Sequence, residues 1–365
     1  MKCRLLYIVG GLPPSGGLER QLFYLLQAMD RARYRPAVVV WNFRESDPYF
    51  ARFRDLDVPL LHVAGATSRL AKLSALRRLV RQLQPEVIHA YSFYLNFGAY
   101  WGGRGTRSIL IGSIRSNFTR DVQVCGPLLG RLCARWPRDQ ICNSLNAAEA
   151  AGRSGHCIGP RRLFVVRNGV DLQRFRATPL PAGGPATIVG VGSLQPVKRW
   201  DRLLEAVGVL RRAGMDCAVR IIGEGPSRAA LEHRAWELGI TDAVALVVGY
   251  HKDIPGLLSQ ATFLVHTSDT EGCPNAVMEA MASGRAVVTT DAGDVPQLVD
   301  EGRTGFVVRR GDGEALVRRM AILIADRELC HRMGEAGRAK AEREFGLDRL
   351  VAGVFDAYRA AGWAG

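Results

Sequence analysis

The sequence lacks the features that define several large classes of protein. No uninterrupted apolar stretch reaches the roughly 18–20 residues that span a bilayer, so we predict no membrane-spanning helix. The eight cysteines are scattered, without a C-x-x-C pair or a Cys/His cluster at metal-ligand spacing, which argues against a disulfide framework and a structural zinc site. Low-complexity tracts are also absent, and 47% hydrophobic and 23% charged residues are typical of a globular protein.

The first residues, MKCRLLYIVGG, combine a basic tip with a short apolar run but contain no A-x-A-like cleavage site. We interpret them as a buried first strand rather than a signal peptide. Without a secretion signal, the cysteines are expected to be reduced thiols in the cytoplasm.

Lysine is scarce, since only 5 of the 49 basic residues are Lys, and the charge is unevenly distributed. Residues 1–180 carry 27 basic and 11 acidic side chains, whereas residues 181–365 carry 22 and 24. The basic half indicates an acidic partner such as anionic lipid, a lipid diphosphate or nucleic acid, and a solvated Arg-rich surface is the alternative. The basic amphipathic stretch RLAKLSALRRLVRQL, residues 69–83, either rests on anionic lipid or packs on a sheet with its charged face outward.

Strand-like and helix-like patterns alternate along the whole chain, from CRLLYIV and LERQLFYLLQAM near the start to TGFVV and two final helices. This alternation is typical of parallel sheets covered by helices on both faces. The stretch TPLPAGGP, residues 178–185, interrupts it with three prolines and two glycines and reads as a linker. We therefore predict an α/β chain of two doubly wound Rossmann-like domains, residues 1–180 and 185–345, with ligands bound in the cleft between them.

Three strand-to-helix loops carry candidate phosphate-binding residues. In GGLPPSGGLER, Gly16 and Gly17 precede a helix whose N-terminus can attract an anion, although the spacing does not fit a dinucleotide fingerprint. In VGSLQPVKRWD, Lys198 is a candidate point charge on a diphosphate, or else an ordinary surface lysine. IIGEGPSRAALE places Gly223 in a third tight turn.

Two glutamates lie eight residues apart in TEGCPNAVMEAMASG, residues 270–284, without a basic residue in the segment. Glu271 falls in a turn and Glu279 in the second turn of a helix for which Pro274 suits the first position. A carboxylate at such places can accept hydrogen bonds from sugar hydroxyls, which would explain the absence of a cation. For isolated glutamates the plainer alternative is a loop residue and a surface helix residue.

The combination of EGCPNAVME with VGSLQPVK, IIGEGPSRAALE, VRNGVDLQRF, ICNS and PPSGGLER resembles the retaining glycosyltransferases of family 4, which have the GT-B fold. The matches run in order from about residue 10 to residue 312. The resemblance implies transfer of a sugar from a nucleotide-diphosphate sugar, UDP in preference to GDP, to an acceptor hydroxyl. It also implies that the last helix, about residues 346–365, crosses back onto the N-terminal domain.

Residue roles follow from the same resemblance. Glu279 is expected to bind the ribose, Glu271 to face the donor sugar and Lys198 to hold the diphosphate. The expected catalytic set is Glu271, Lys198 and Arg115. The expected donor-binding set is Gly16, Gly17, Ser193, Lys198, Arg199, Gly223, Glu271, Gly272, Cys273, Asn275, Ala276 and Glu279. The expected acceptor side is Gly17, His89, Arg115 and Asn117.

Three departures from the family pattern leave the donor open. Ser193 stands where the family often has Arg, so one phosphate charge is either missing or supplied by another residue, for which Arg199 is the candidate. Pro274 cannot donate an N–H, which leaves Asn275 and Ala276 as donors. Arg115 takes the place of a histidine near the donor sugar, with His89 as the second candidate.

No cofactor or metal is expected, because Lys, Arg and helix termini can neutralise a diphosphate. The D-x-D at Asp55–Asp57 is interpreted as a surface turn. The expected acceptor is lipid-linked or a small molecule, in polysaccharide, lipopolysaccharide or glycolipid assembly, without nucleic acid. The expected location is the cytoplasm, with peripheral attachment to the inner face of the cytoplasmic membrane left open. A soluble natural-product acceptor, a GT-B epimerase and a non-catalytic sugar-nucleotide binder remain alternatives.

Overall fold

The computed structural model describes residues 3–13, 17–63, 68–154, 159–247 and 253–365. The predicted alternation of strands and helices is present throughout these ranges. The described residues divide into two units, one formed by the chain up to Gly169 together with Leu347–Gly365, and one by Val170–Gly346. Each unit is built on one parallel sheet.

The first unit contains a seven-stranded sheet among the described residues, in the order β3-β2-β1-β4-β5-β6-β7. Its strands are β1 (Leu5–Val9), β2 (Pro36–Val40), β3 (Leu60–His62), β4 (Val87–Ala90), β5 (Ile109–Ile114), β6 (Asp139–Cys142) and β7 (Arg162–Val165). Its first helices are α1 (Gly17–Ala28), α2 (Arg31–Tyr34), α3 (Pro48–Asp55), α4 (Arg69–Leu83), α5 (Asn96–Gly103), α6 (Phe118–Cys125), α7 (Pro127–Arg135) and α8 (Leu145–Arg153).

Strand β1 shows why the sheet is covered on both faces. Its five residues are all buried, as expected for a central parallel strand. Leu5 and Tyr7 pack in a core with α1, whereas Leu6 and Ile8 pack in a core with α4. Successive side chains point to opposite faces of a strand, so an uninterrupted apolar run supplies both cores.

The second unit repeats the design with six described strands in the order β10-β9-β8-β11-β12-β13. These are β8 (Ala186–Val191), β9 (Cys217–Ile222), β10 (Val244–Val247), β11 (Phe263–His266), β12 (Ala286–Thr290) and β13 (Gly305–Val308). The helices are α9 (Trp200–Arg212), α10 (Arg228–Glu237), α11 (Ile254–Ser259), α12 (Asn275–Ala282), α13 (Val295–Leu298), α14 (Gly313–Ala325) and α15 (Arg327–Glu344).

The last helix, α16 (Leu347–Ala360), belongs to the first unit. Leu350, Val354 and Phe355 are buried in the same core as α1. The hydroxyl of Tyr358 lies 2.7 Å from Nδ1 of His89 on β4. Apolar packing and a buried hydrogen bond therefore fasten the end of the chain to this sheet.

The division between the units falls earlier than the proline-rich stretch at 178–185 suggested. Val170 and Phe175 are buried in a core of the second unit together with Phe345. The buried guanidinium of Arg285 donates to the carbonyl oxygen of Thr178 at 2.7 Å and to its hydroxyl at 2.6 Å. The stretch is therefore irregular backbone held within the second unit, and the boundary at residue 180 was about ten residues too late.

Candidate functional site

Lys198 and Glu271 meet at the carboxyl edge of the second sheet. Lys198 ends a short 3-10 turn after β8, and Glu271 lies in the turn after β11. These two strands are neighbours, and the strand order reverses between them, which is where open α/β sheets bind ligands. The Lys198 Nζ lies 2.5 Å from Glu271 Oε1, and the side chains are only 19% and 13% exposed.

The Glu271 carboxylate is held at one oxygen by three groups. Besides Lys198, the Ser268 hydroxyl donates to Oε1 at 2.6 Å and His266 Nε2 lies 3.0 Å from it. Burial alone raises the pKa of Glu271, but the Lys198 charge and the hydrogen bond from His266 outweigh it and hold that pKa well below its usual value. Glu271 is therefore an anion at neutral pH, with Oε2 left outside this set of bonds.

This pairing corrects the expectation that the glutamates of TEGCPNAVMEAMASG have no cationic partner. Lys198 is 73 residues away in the sequence, so the local segment could not reveal it. His266 and Ser268 were also missed as site residues. The available signal was a histidine at the end of the strand-like run TFLVHTSD, directly ahead of the acidic turn.

Glu279 is not the surface helix residue that the plainer alternative proposed. It lies in α12 and is 2% exposed. A carboxylate at such a position is costly to desolvate unless it meets hydrogen-bond donors. The helix begins at Asn275, with Pro274 as its N-cap residue, one position later than the sequence suggested.

The turn between β11 and α12 is fixed by the loop after β12. The carbonyl oxygen of Gly272 accepts from the Asp294 N–H at 3.0 Å, and Cys273 is buried beside Met278. Gly293 allows this close approach, because a Cβ there would lie 2.4 Å from the Glu271 carbonyl oxygen. The first N–H groups of α12, those of Asn275 and Ala276, thus follow a rigid turn.

Gly223 has a packing role that follows from its position. A Cβ on Gly223 would lie 1.9 Å from the carbonyl oxygen of Gly192, so the loops after β8 and β9 approach backbone to backbone. The neighbouring Ser193 accepts from the Trp200 indole N–H at 3.0 Å through its carbonyl oxygen. The absence of a side chain at Gly223 thus sets how closely these two loops can lie.

Arg199 is engaged by carboxylates rather than available as a second phosphate cation. Its guanidinium bonds Asp201 at 2.8 Å and Asp269 at 3.2 Å. The hydrogen bond with Asp201 raises the pKa of Arg199 despite its partial burial. Asp269 also binds Arg202 at 2.5 Å. This network fixes the loop that carries Lys198, and a phosphate role for Arg199, which would have to displace these carboxylates, stays a prediction.

In the first unit, the glycine loop after β1 is described only in part. Gly16 lies outside the described residues, and Gly17 is the exposed first residue of α1. In the first turn of the helix, Glu19 is buried, and burial raises the pKa of its carboxyl to about 7. Sequence reasoning quoted this glutamate within GGLER but did not single it out.

His89 was wrongly placed on the acceptor side. It is 1% exposed within β4, with Nδ1 bonded to Tyr358 and Nε2 lying 2.8 Å from the Ser113 hydroxyl. Burial lowers the pKa of His89 well below its usual value, and the charge of Arg115 lowers it further. Both ring nitrogens are used inside the core, so His89 is a structural residue.

Arg115 and Asn117 follow β5 at the carboxyl edge of the first sheet. The Arg115 guanidinium lies over the Tyr91 ring, 4.1 Å from its centroid. Asn117 caps α6 by accepting from the Arg120 N–H at 3.0 Å. Arg115 therefore stands at a ligand-binding edge, whereas the Asn117 side chain already has a structural partner.

In the described part of the chain, no three His, Cys, Asp or Glu side chains gather as metal ligands, which leaves the expectation of metal independence untested. Asp55 ends α3 and Asp57 has a left-handed backbone, and both are exposed, as a surface turn requires. Over the same ranges, none of the helices is both long and apolar enough to cross a bilayer.

Comparison with known proteins places this architecture among the GT-B structures. Anabaena Alr3699/HepE, solved with UDP and glucose, superposes with a TM-score of 0.83 at 19% identity, over 98% of this chain and all of that one. The profile of Glycosyl transferases group 1 matches residues 172–340, and that of Glycosyltransferase Family 4 matches residues 15–174. The chain belongs to the group 1, family 4 glycosyltransferases.

Two curated relatives show the range within this family. D-inositol 3-phosphate glycosyltransferase of Streptomyces scabiei is 33% identical over 238 residues, 59% of this chain and 53% of that protein. The putative colanic acid biosynthesis glycosyltransferase WcaL of Salmonella typhimurium is 32% identical over 171 residues, 44% of this chain and 42% of that protein. The matched part of the chain spans about half the length of these relatives.

Proposed function

We propose that the protein is a retaining glycosyltransferase that moves a sugar from a nucleotide-diphosphate sugar, a UDP-sugar before a GDP-sugar, to an acceptor hydroxyl. The observation that carries the proposal is the ion pair of Lys198 and Glu271 at the strand-order reversal of a family-matched domain. Lys198 is a cation for which a diphosphate would compete with Glu271. The ionised Glu271 carboxylate can accept hydrogen bonds from sugar hydroxyls.

The chemistry follows from these charges. A diphosphate that draws Lys198 Nζ to its oxygens leaves Glu271 with the hydrogen bonds from Ser268 and His266, so that carboxylate stays ionised beside the sugar. Fixed positive charge at the leaving diphosphate lowers the barrier to its departure. The departing phosphate oxygen then takes the acceptor proton on the same face, which retains the anomeric configuration and needs no metal.

Glu279 and the start of α12 complete the proposed donor site. The Glu279 carboxylate, buried in α12, is assigned to the ribose diol because the family resemblance implies that role for this position. The N–H groups of Asn275 and Ala276 at the helix N-terminus are assigned to phosphate oxygens. Ser193 and Gly223 lie in loops whose backbones could approach the nucleotide.

The acceptor is proposed to belong to polysaccharide, lipopolysaccharide or glycolipid assembly, which the name of the WcaL relative supports. A small soluble acceptor is the second candidate, and the name of the Streptomyces relative favours it. Epimerisation and binding without turnover remain the alternatives that an assay must separate.

The test is incubation of the protein with a panel of nucleotide sugars while free nucleoside diphosphate is followed. Release that depends on an added acceptor supports transfer. An altered sugar without release indicates an epimerase, and binding without turnover indicates a non-catalytic protein, and either result contradicts the proposal.

Glu271→Gln tests the residue assignment. Glutamine keeps the shape and can still accept from Ser268, but it loses the charge, so we expect turnover to fall at least about tenfold, equivalent to about 1.4 kcal/mol. Glu314→Gln is the matched control, because Glu314 is a 90% exposed helix residue of the same unit. Equal rates for the two variants would remove Glu271 from the mechanism.

Membrane attachment is proposed only through charge. The apolar face of α4 packs inward, with Leu76 and Val80 buried, so it is not available to lipid. Arg78 and Arg81 are exposed on the outer face, and Leu70 is 77% exposed. We expect the protein to float with anionic but not zwitterionic liposomes at low salt, and an Arg78→Glu/Arg81→Glu variant to bind less. Absence of binding to anionic liposomes would exclude this attachment.

A further inference from the structure

Among the described residues of the first unit, Arg115 has a buried guanidinium without a compensating anion. All three guanidinium nitrogens of Arg115 are shielded from solvent and lack a hydrogen-bond partner among the described residues. Their one aromatic contact is with the ring of Tyr91. An arginine cannot lose its proton in a protein, so this charge persists in the fold.

Two further polar atoms, on residues that contact Arg115, are also unsatisfied. The Tyr91 hydroxyl and the Asn143 Oδ1 are buried without a hydrogen-bond partner among the described residues. Tyr91 is 0% and Asn143 4% exposed, and Asn143 donates through Nδ2 to the carbonyl oxygen of Arg115 at 3.2 Å. Most buried polar atoms in folded proteins have a hydrogen-bond partner, so a group of neighbouring residues with unsatisfied atoms calls for a functional explanation.

The three residues have equivalent places in the fold. Tyr91, Arg115 and Asn143 each directly follow a strand, β4, β5 and β6 respectively, and these strands are neighbours in the sheet. They therefore share the carboxyl edge, which is the ligand-binding edge of a parallel sheet. Ser116 is exposed and Arg115 itself is partly exposed, so the loop reaches the surface.

The ionisable groups around Arg115 are neutral rather than anionic. Burial lowers the pKa of His89 and raises the pKa of Tyr91 and of Tyr358, so none of the three carries a negative charge at neutral pH. No carboxylate of the described residues forms an ion pair with Arg115. Stacking on Tyr91 offsets part of the desolvation cost, but a buried guanidinium is stabilised far more by a bidentate oxyanion.

We propose that Arg115, with Tyr91 and Asn143, forms a pocket for an oxyanion, a carboxylate or phosphate group, carried by a substrate of the transfer reaction. Guanidinium and phenol supply hydrogen-bond donors to the oxyanion, and the Asn143 oxygen accepts from a neighbouring hydroxyl. The identity of the carrier rests on the proposed function, whereas the pocket itself does not. The carrier is either a uronic acid donor sugar or a phosphorylated acceptor.

Direct binding tests the pocket. Isothermal titration of the whole protein with inorganic phosphate and with acetate should show saturable binding of at least one of them, weakened at least tenfold in Arg115→Met. The anion affinity of Arg115→Lys should lie between those of the wild type and Arg115→Met, since lysine keeps the charge but cannot form a bidentate contact. Arg120→Met is the matched control, an exposed arginine five residues along the same loop and helix, and should bind like the wild type.

Stability separates a binding residue from a structural one. Replacing an unpaired buried cation by an apolar side chain should raise the Tm of the ligand-free protein, whereas loss of a structural cation should lower it. A lower Tm together with unchanged phosphate and acetate affinity in Arg115→Met would overturn the proposal.

Kinetics identify the carrier. If the carboxylate belongs to the donor, Arg115→Met should lower kcat/KM for UDP-glucuronic acid at least tenfold more than for UDP-glucose. If the phosphate belongs to the acceptor, the same bias should appear between phosphorylated and unphosphorylated forms of one acceptor. Arg115-dependent phosphate binding by a protein without transferase turnover would retain the pocket and reject the proposed function. If the wild type turns over, but Arg115→Met neither discriminates between charged and uncharged substrates nor loses anion binding, the proposed function is retained and the pocket is rejected.

Discussion

Replacing Lys198 by methionine removes the cation of the proposed donor site while keeping an unbranched side chain of nearly the same length. It leaves the Glu271 carboxylate, 13% exposed, with only Ser268 and His266 as partners. An opposite charge at this distance lowers a carboxyl pKa by about 1–3, and each step of one is equivalent to about 1.4 kcal/mol. We therefore expect the free energy of unfolding to fall by about 1.4–4 kcal/mol at neutral pH.

The pH dependence of this loss has a defined sign. In the wild type the pKa of folded Glu271 is held below that of the unfolded chain, about 4.3, so its stabilisation is present above that pH and is lost only in stronger acid. In Lys198→Met the lowering effect of the cation is lost while that of His266 remains, so the pKa of Glu271 is higher than in the wild type. The variant should therefore be least stable relative to the wild type at pH 7–8, and the difference should shrink below about pH 5.

The assay combines chemical denaturation across this pH range with nucleotide-dependent turnover. Lys198→Met should also lower kcat/KM at least about tenfold, because the diphosphate loses its cation. Lys340→Met is the control, since Lys340 forms a 2.5 Å ion pair with Asp300 in the same unit. It should lose stability but keep donor affinity. Equal losses of turnover in both variants, or a pH-independent difference for Lys198→Met, would refute the reasoning.

Two further substitutions test the supporting structure. Gly223→Ala places a methyl group against the Gly192 carbonyl oxygen, so we expect the free energy of unfolding to fall by about 1–3 kcal/mol and UDP binding, measured by calorimetry, to weaken. Gly313→Ala is the control, because nothing lies within 4 Å of its Cβ, and it should change neither stability nor UDP binding. An unchanged Gly223→Ala protein would show that the two loops can separate without cost. Tyr358→Phe leaves the buried His89 nitrogen without its partner, so urea denaturation should show a loss of about 1–3 kcal/mol. Wild-type stability would contradict the view that this bond fastens the last helix.

The fold could be predicted from the sequence because its signals are local. Buried strands such as β1 are continuous apolar runs, and a loop and a helix follow in the sequence. The placement of Lys198 and Glu271 in strand-end loops was equally local, so both loops were predicted at the carboxyl edge of the second sheet. Their contact was not predicted, since it joins loops 73 residues apart.

The errors have the same physical origin. His89 was expected at the site because the family often presents a histidine near the donor sugar, whereas its partner Tyr358 is 269 residues away and gives no local signal. The stretch 178–185 looked like a free linker because proline and glycine predict irregular backbone but not attachment. Arg285, which holds Thr178, is 107 residues further on. Polar networks between distant segments decide such roles, and composition does not encode them.

The two sheets differ in how they compensate charge at the same structural position. In the second unit, Lys198 already has Glu271 as a partner, so an entering diphosphate must compete with a carboxylate for that cation. The competition is useful to a transferase, because the ligand that takes Lys198 also leaves Glu271 ionised and available to the donor sugar. In the first unit, Arg115 has no such competitor among the described residues. An oxyanion there displaces no partner and gains the full hydrogen-bonding capacity of the guanidinium. Under the two proposals, the donor site would exchange partners during turnover, and the Arg115 pocket would select a substrate by its charge.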